Sequence, residues 1–118
     1  MERMLKTLLT TTPAHKYYVF VIPVAAEIDL KAAARSVGEK SVSMLPVKDI
    51  TAVSGYVRGG CSPVGMKKQF QTVFDKSCLA FKNIYISGGK LGCQLELSPN
   101  ALITYLNATT AQLIDLGV

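Results

Sequence analysis

An α+β fold, with a mixed and partly closed, barrel-like sheet flanked by helices, follows from three observations. Extended and helical signals interleave along the chain without the regular strand–helix–strand rhythm of a parallel α/β protein. Hydrophobic residues make up 49% of 118 residues, enough for one core without disulfides or metal. The longest apolar run, residues 17–26, is interrupted by Pro23 and is far shorter than a membrane-spanning helix. A single domain over 1–118 is expected, with no repeats and no low-complexity linker.

The first element is a strand from Met4 to Thr11, whose alternation sets Met4, Lys6 and Leu8 on one face and Leu5, Thr7 and Leu9 on the other. A short loop carrying Pro13 leads to a second strand, Lys16 to Pro23, rich in β-branched and aromatic residues. Asp29 then caps a helix that places Leu30, Ala33, Ala34 and Val37 on one face and stops at Gly38. An extended piece from Ser41 to Leu45 precedes a second helix starting at Pro46, with Val47, Ile50 and Val53 inward and Gly55 at its end. Three strands follow, at Gln71 to Asp75, Asn83 to Ser87 and Gly92 to Leu97. The last alternates Leu91, Cys93, Leu95 and Leu97 against Gly92, Gln94 and Glu96. Ser98-Pro99 opens a third helix to about Asn107, and Ala111 to Leu116 forms a final short strand.

The net charge is +5, and its placement is uneven. Over residues 55–90, Arg58, Lys67, Lys68, Lys76, Lys82 and Lys90 face a single acid, Asp75. Such a concentration suits an anionic partner such as nucleic acid, and it equally serves solubility. The opening residues alternate charge and apolar groups too closely for a signal peptide, so a soluble, cytoplasmic protein is expected.

Several chemistries are disfavoured. Cys61, Cys78 and Cys93 are widely spaced and form no C-x-x-C pair. The single histidine, His15, cannot complete a Cys/His zinc set, so neither a metal nor another cofactor is expected. His15 lies in a turn and reads as a solvated loop residue rather than as the base of a nucleophile. The glycine-rich stretch GYVRGGCSPVGMKK, residues 55–68, lacks both the P-loop and the dinucleotide spacings and follows a helix. Lys6, set among apolar neighbours, is either an edge-strand guard or a cation held at a cleft wall. IYISGGKLG, residues 84–92, is a hairpin turn whose backbone N–H groups could also meet an oxyanion or phosphate.

Four stretches carry a resemblance over nearly the whole chain: LKTLL at 5–9, PVAAEIDLKAAARSVG at 23–38, GYVRGGCSPVGMKK at 55–68 and IYISGGKLGCQLEL at 84–97. In this order and spacing they resemble the YbaK/EbsC family, free-standing relatives of the editing domain inserted in bacterial prolyl-tRNA synthetases. The resemblance implies a β-barrel-like core with helices and removal of wrongly attached amino acids from tRNA. Its nearest members are deacylases of Cys-tRNA(Pro). It also implies roles: Lys6 as the key lysine, Thr7 and Gly60 beside the substrate, and Gly59 against the aminoacyl ester. Ser87 and Gly88 come from the S-G-G turn, and Gln94 stands where the nearest relatives carry aspartate. Arg58, Lys67 and Lys68 would face the tRNA. The implied partners are aminoacyl-tRNA and, in second place, prolyl-tRNA synthetase, with neither DNA nor a membrane. Relatives carry a further helix and strand ahead of the K-T-L-L strand, so the chain is read as shortened there. Rival readings are an Ala-tRNA(Pro) deacylase using water and a non-catalytic regulator of the EbsC type.

Overall fold

The computed structural model describes residues 4–55, 62–64, 70–88 and 94–115, and of Val47 the backbone alone. Strand β1 (Leu5–Thr11) and β2 (Tyr17–Pro23) form an antiparallel hairpin with Lys6 opposite Ile22 and Thr7 opposite Val21. His15 turns the hairpin in the left-handed region, at φ 61. Helix α1 (Leu30–Ser36) begins at Asp29, whose carboxylate accepts from the backbone N–H groups of Lys31 and Ala32 at 3.0 and 3.2 Å. The cap therefore satisfies two donors that the first turn would otherwise leave unpaired. Gly38 ends the helical segment at φ 74, a conformation that costs glycine little. Ala32, Ala33 and Ala34 are the buried residues of α1, whereas Leu30 is 36% exposed. Its place in the first turn, beside the cap, carries it out of the expected inward face.

A two-residue strand β3 (Ser43–Met44) pairs antiparallel with the far end of β1. The expected helix from Pro46 divides into a 3₁₀ turn, Val47–Asp49, and α2 (Ile50–Ser54), which Gly55 closes at φ 83. Strand β4 (Gln71–Asp75) runs parallel to β2, and a 3₁₀ turn over Lys76–Ala80 follows it, capped by the Asp75 carboxylate. Strands β5 (Ile84–Ser87) and β6 (Gln94–Leu97) form an antiparallel ribbon. Helix α3 (Pro99–Leu106) ends on Asn107 in the left-handed conformation, φ 53. The chain then enters β7 (Thr109–Ala111) parallel to β4, so the last strand starts before the expected Ala111. Of the residues expected beyond it, Ile114 makes only an isolated bridge to Ile28. Buried Asp75 accounts for the early exit: its second oxygen accepts from the Leu113 N–H at 2.8 Å and fixes the chain just past β7.

The sheet order is β3-β1-β2-β4-β7, mixed in direction as expected, with β5-β6 as a separate ribbon. Among the described residues the two are joined at a bridge between Met4 and Tyr85, and the sheet is not closed. Central strand β2 is buried on both faces, which explains its unbroken apolar run. On one side Val19, Val21, Leu5, Leu9 and Phe74 pack against Ile84 and Ile86 of the ribbon and Leu102 and Leu106 of α3. On the other, Tyr18, Phe20, Ile22 and Val73 pack against Ala33 and Ala34 of α1, together with Val42 and Leu113. Among the described residues no helix is long and apolar enough to cross a membrane.

Candidate active site

Lys6 is half-buried on the α1 side of the sheet, in line with Leu8 and opposite Ile22. Strand β1 is flanked by β2 along its whole length, by β3 at its far end and by β5 at its near end. On the side away from β2, the neighbours of β1 are β3 at Thr10 and Thr11 and the bridge at Met4, to either side of Lys6.

The parallel bridge Met4–Tyr85 decides what lies next to Lys6. Bridged residues project to the same side of a sheet, and both strands advance two residues per pleat repeat. Leu5 and Ile86 accordingly share the apolar core on one face. Alternation along each strand sets Lys6 and Ser87 on the side of Met4 and Tyr85, opposite Leu5 and Ile86. Ser87 in turn stands directly across the ribbon from Gln94. Three residues expected at the site thus share one side of β1, β5 and β6, and Ser87 and Gln94 are directly paired. Lys6 and Ser87 are half-buried and Gln94 is exposed, so this side is open at its β6 end. Half-buried Gly88 directly continues β5 beyond Ser87.

Thr7 points the other way. It pairs with Val21 and lies on the face of Leu5 and Leu9, not beside the Lys6 side chain. Strand alternation already implied this split. Arg58, Gly59, Gly60, Lys67 and Lys68 lie outside the described residues, as do Cys61 and Cys93. The described flanks of their loop are anchored on the apolar side. Ser62 and Pro63 are buried, Val64 packs on the core, and Phe70 meets the Tyr17 ring at a centroid distance of 5.6 Å.

The remaining chemistry is modest. Cys78 is a free, buried thiol whose ionisation burial pushes up to about 11, with the Asp75 charge adding to the effect. A thiol so held is not a nucleophile near neutral pH. His15 is exposed at the hairpin turn, at the opposite end of β1 from Lys6, as a solvated loop residue would be. Among the described residues no group of histidine, cysteine and carboxylate side chains could hold a metal. Two neighbours of Ser87 and Gln94 had no role in the sequence reading: Tyr85 and Glu96, which oppose each other on the same face. The signal for Glu96 was present in the alternation of QLEL, where every second residue shares a side.

Comparison with known proteins bears on this arrangement. The family described as "Aminoacyl-tRNA editing domain" matches residues 1–105. The protein named "Putative Cys-tRNA(Pro)/Cys-tRNA(Cys) deacylase EbsC" from Enterococcus faecalis is 44% identical over 111 residues, covering 94% of this chain and 68% of its own length. The crystal structure of a "putative trans-editing enzyme for prolyl tRNA synthetase" superposes with a TM-score of 0.88. Its match covers 97% of this chain and 71% of the other at 22% identity, and shows a shared fold. A crystal structure of a hypothetical protein gives a TM-score of 0.89 at 27% identity, covering 97% and 75% of the two chains. The family match spans most of the chain and the identity extends over nearly all of it, so the chain belongs to the aminoacyl-tRNA editing domain family.

Proposed function

We propose that this chain acts as a single editing domain that clears mischarged tRNA, most of all Cys-tRNA(Pro), by cleaving its ester without a protein nucleophile. The observation that supports the reading is that alternation from the Met4–Tyr85 bridge and the Ser87–Gln94 pair puts Lys6, Ser87 and Gln94 on one side of β1, β5 and β6. The name of the 44% identical relative supports the choice of substrate. An aminoacyl ester is already activated, so the protein need only fix it and stabilise charge growing on the carbonyl oxygen.

With a cysteinyl substrate, the substrate's own thiolate attacks its carbonyl carbon. A sulfur–carbon bond forms, the ester carbon–oxygen bond breaks, and the terminal ribose oxygen leaves and takes a proton. The amino acid departs as a thiolactone. Lys6 orients the terminal adenosine or its phosphate, and Ser87 and Gly88 hold the aminoacyl end beside Gln94. Gly59 and Gly60 bring backbone close to the ester, and Thr7 supports the strand from the core side. Arg58, Lys67 and Lys68 face the tRNA backbone. Prolyl-tRNA synthetase, which releases the mischarged tRNA, is the proposed protein contact. The high ionisation range of Cys78 agrees with a reaction that acylates no side chain.

The deciding measurement is the rate of deacylation of Cys-tRNA(Pro) and Ala-tRNA(Pro) by wild type and Lys6→Ala. Faster loss of the cysteinyl ester, lowered about 100-fold in the variant, is expected. Faster loss of the alanyl ester would replace thiol cyclisation by attack of bound water, because alanine has no thiol. Binding of either tRNA without turnover would favour a regulator.

A further inference from the structure

We infer that the end of the β1–β2 hairpin remote from Lys6 carries a phosphate-binding surface for the base-paired stem of the substrate tRNA, built by Lys16, Arg35 and Lys40. This deepens the deacylase reading and rests on it. The three cations belong to separate segments, and backbone and side-chain hydrogen bonds gather them at one end of the sheet. Lys16 continues the hairpin register opposite Thr12: its N–H donates to Thr12 Oγ1 at 3.2 Å, and its carbonyl accepts from the Thr12 N–H at 3.0 Å. Two residues on, the Tyr18 phenol donates to Glu39 Oε2 at 2.5 Å. The Glu39 N–H in turn donates to the Ala34 carbonyl at 3.0 Å, which holds this segment against the end of α1. A single bond from β2 thus brings Lys16 near Arg35, in the last turn of α1, and near Lys40. Ser43, paired with Thr11, returns the chain from Lys40 to the same end of β1.

The side of the sheet is fixed as well. By alternation Lys16 shares the side of Tyr18, Phe20 and Ile22, which pack against α1. Lys6, opposite Ile22, lies on that side too, roughly 20 Å back along β1 at the rise of a strand. Lys16, Arg35 and Lys40 are all exposed. The nearby carboxylates are engaged, Glu39 by Tyr18 and Asp29 as the cap of α1. Glu27 and Asp115 meet at the other end of α1, where the Asp115 N–H donates to the Glu27 carbonyl. Arg35 also follows Lys31 by one helical turn on the same face, a like-charged pair that is unfavourable until an anion bridges it.

Cations spread over three surface segments suit a chain of phosphates better than one small anion. The esterified 3′ end of a tRNA is single-stranded, so its stem begins some way from the residue that holds the ester. A stem seated at the hairpin end lets that single strand run along β1 to Lys6. Contacts of this kind position a nucleic acid without reading its bases. The surface therefore sets reach and orientation and leaves the choice of amino acid to the Lys6 end.

The test measures binding of the full chain to an unacylated tRNA(Pro) transcript against salt concentration, by fluorescence anisotropy. The slope of log K on log salt should shrink by about 1 in each of Lys16→Gln, Arg35→Gln and Lys40→Gln, and by about 3 in the triple variant. The companion readout is kcat/KM on cysteinyl-tRNA divided by kcat/KM on a cysteinyl ester of the terminal CCA trinucleotide, which has no stem. In the triple variant this ratio should fall on the order of tenfold, through KM for the tRNA. A slope unchanged in the triple variant, or an equal loss on both esters, overturns the surface. So does a loss of binding to phosphatidylserine vesicles with none on the transcript, which would assign the patch to a membrane. Should the triple variant fail to fold, the three single variants carry the same comparison. Wild type that binds the transcript with these slopes but cleaves neither ester keeps the surface and removes the deacylase reading.

Discussion

The two faces of the β1–β5 junction are built from alternate residues of the same strands, and their fates are opposite. One face carries Leu5, Leu9, Ile84 and Ile86 into the core. The other carries Lys6, Ser87, Gln94 and Glu96, from half-buried to exposed. Because each side chain is committed to one face by the pleat, the apolar residues can hold the strands in register without crowding the polar ones. Stability and chemistry are thereby separated within a few ångströms, and substitutions on the two faces should differ in kind.

The largest effect should come from the apolar face. Phe74→Ala removes a fully buried ring from the core beneath the ribbon and is expected to cost about 3–5 kcal/mol, read as a drop in the urea midpoint. Activity should fall with it, since Leu5 and Ile86, which pack in this core, hold β1 and β5 together. The comparison breaks if the variant is destabilised by less than Lys6→Ala.

On the polar face the signs reverse. Lys6→Ala should leave the unfolding midpoint nearly unchanged and lower deacylation by about 100-fold, the scale of a lost substrate-positioning contact. A variant that keeps wild-type rate would take Lys6 out of the site.

Cys78 sharpens the apolar side through pH. An acid whose folded value is raised adds stability that is complete below its unfolded value and is lost as pH climbs through the folded one. The ordinary value is 9.0 and the folded one about 11, so stability should hold up to about pH 9 and fall from there to pH 11. The contribution at stake is on the order of 2 kcal/mol. Tyr18 adds a loss of the same sign, because its hydrogen bond to Glu39, with burial, raises its ionisation. In Cys78→Ala the alkaline decline should be shallower than in wild type when both are followed by thermal melts. Parallel declines would assign it elsewhere.

The smallest effect should come from a helix cap. Asp29→Ala removes the cap of α1 and should cost about 1 kcal/mol in melting experiments. The deacylation rate should stay as it is, and a matching loss of rate would mean that α1 supports the polar face.

Much of this fold was legible because its signals are local. The Asp29 cap, the Gly38 and Gly55 stops, the Ser98-Pro99 start and the run from Tyr17 to Pro23 each announce themselves within a few residues. The misses were set by partners distant in sequence. Leu30 reads as inward by helical period and is exposed, since the neighbours that cover α1 reach its alanines instead. The final strand begins at Thr109 because β4 offers its parallel edge there and Asp75 captures Leu113 beyond it. For the site, the alternation of β1 separated Lys6 from Thr7, and a family resemblance supplied their roles, but neither could show which strand stood beside Lys6.

By itself, then, the sequence determined the element types, their caps and which residues of each strand share a side, because these follow from backbone sterics and short-range hydrogen bonding. It also determined the family, through ordered motifs. Only the tertiary structure decided that β1 meets β5 in parallel at Met4 and Tyr85 and that Ser87 faces Gln94. Strand pairing between distant segments is selected by the total apolar surface that one register buries. No local stretch encodes that sum, and through it Lys6, Ser87 and Glu96 come to share one face.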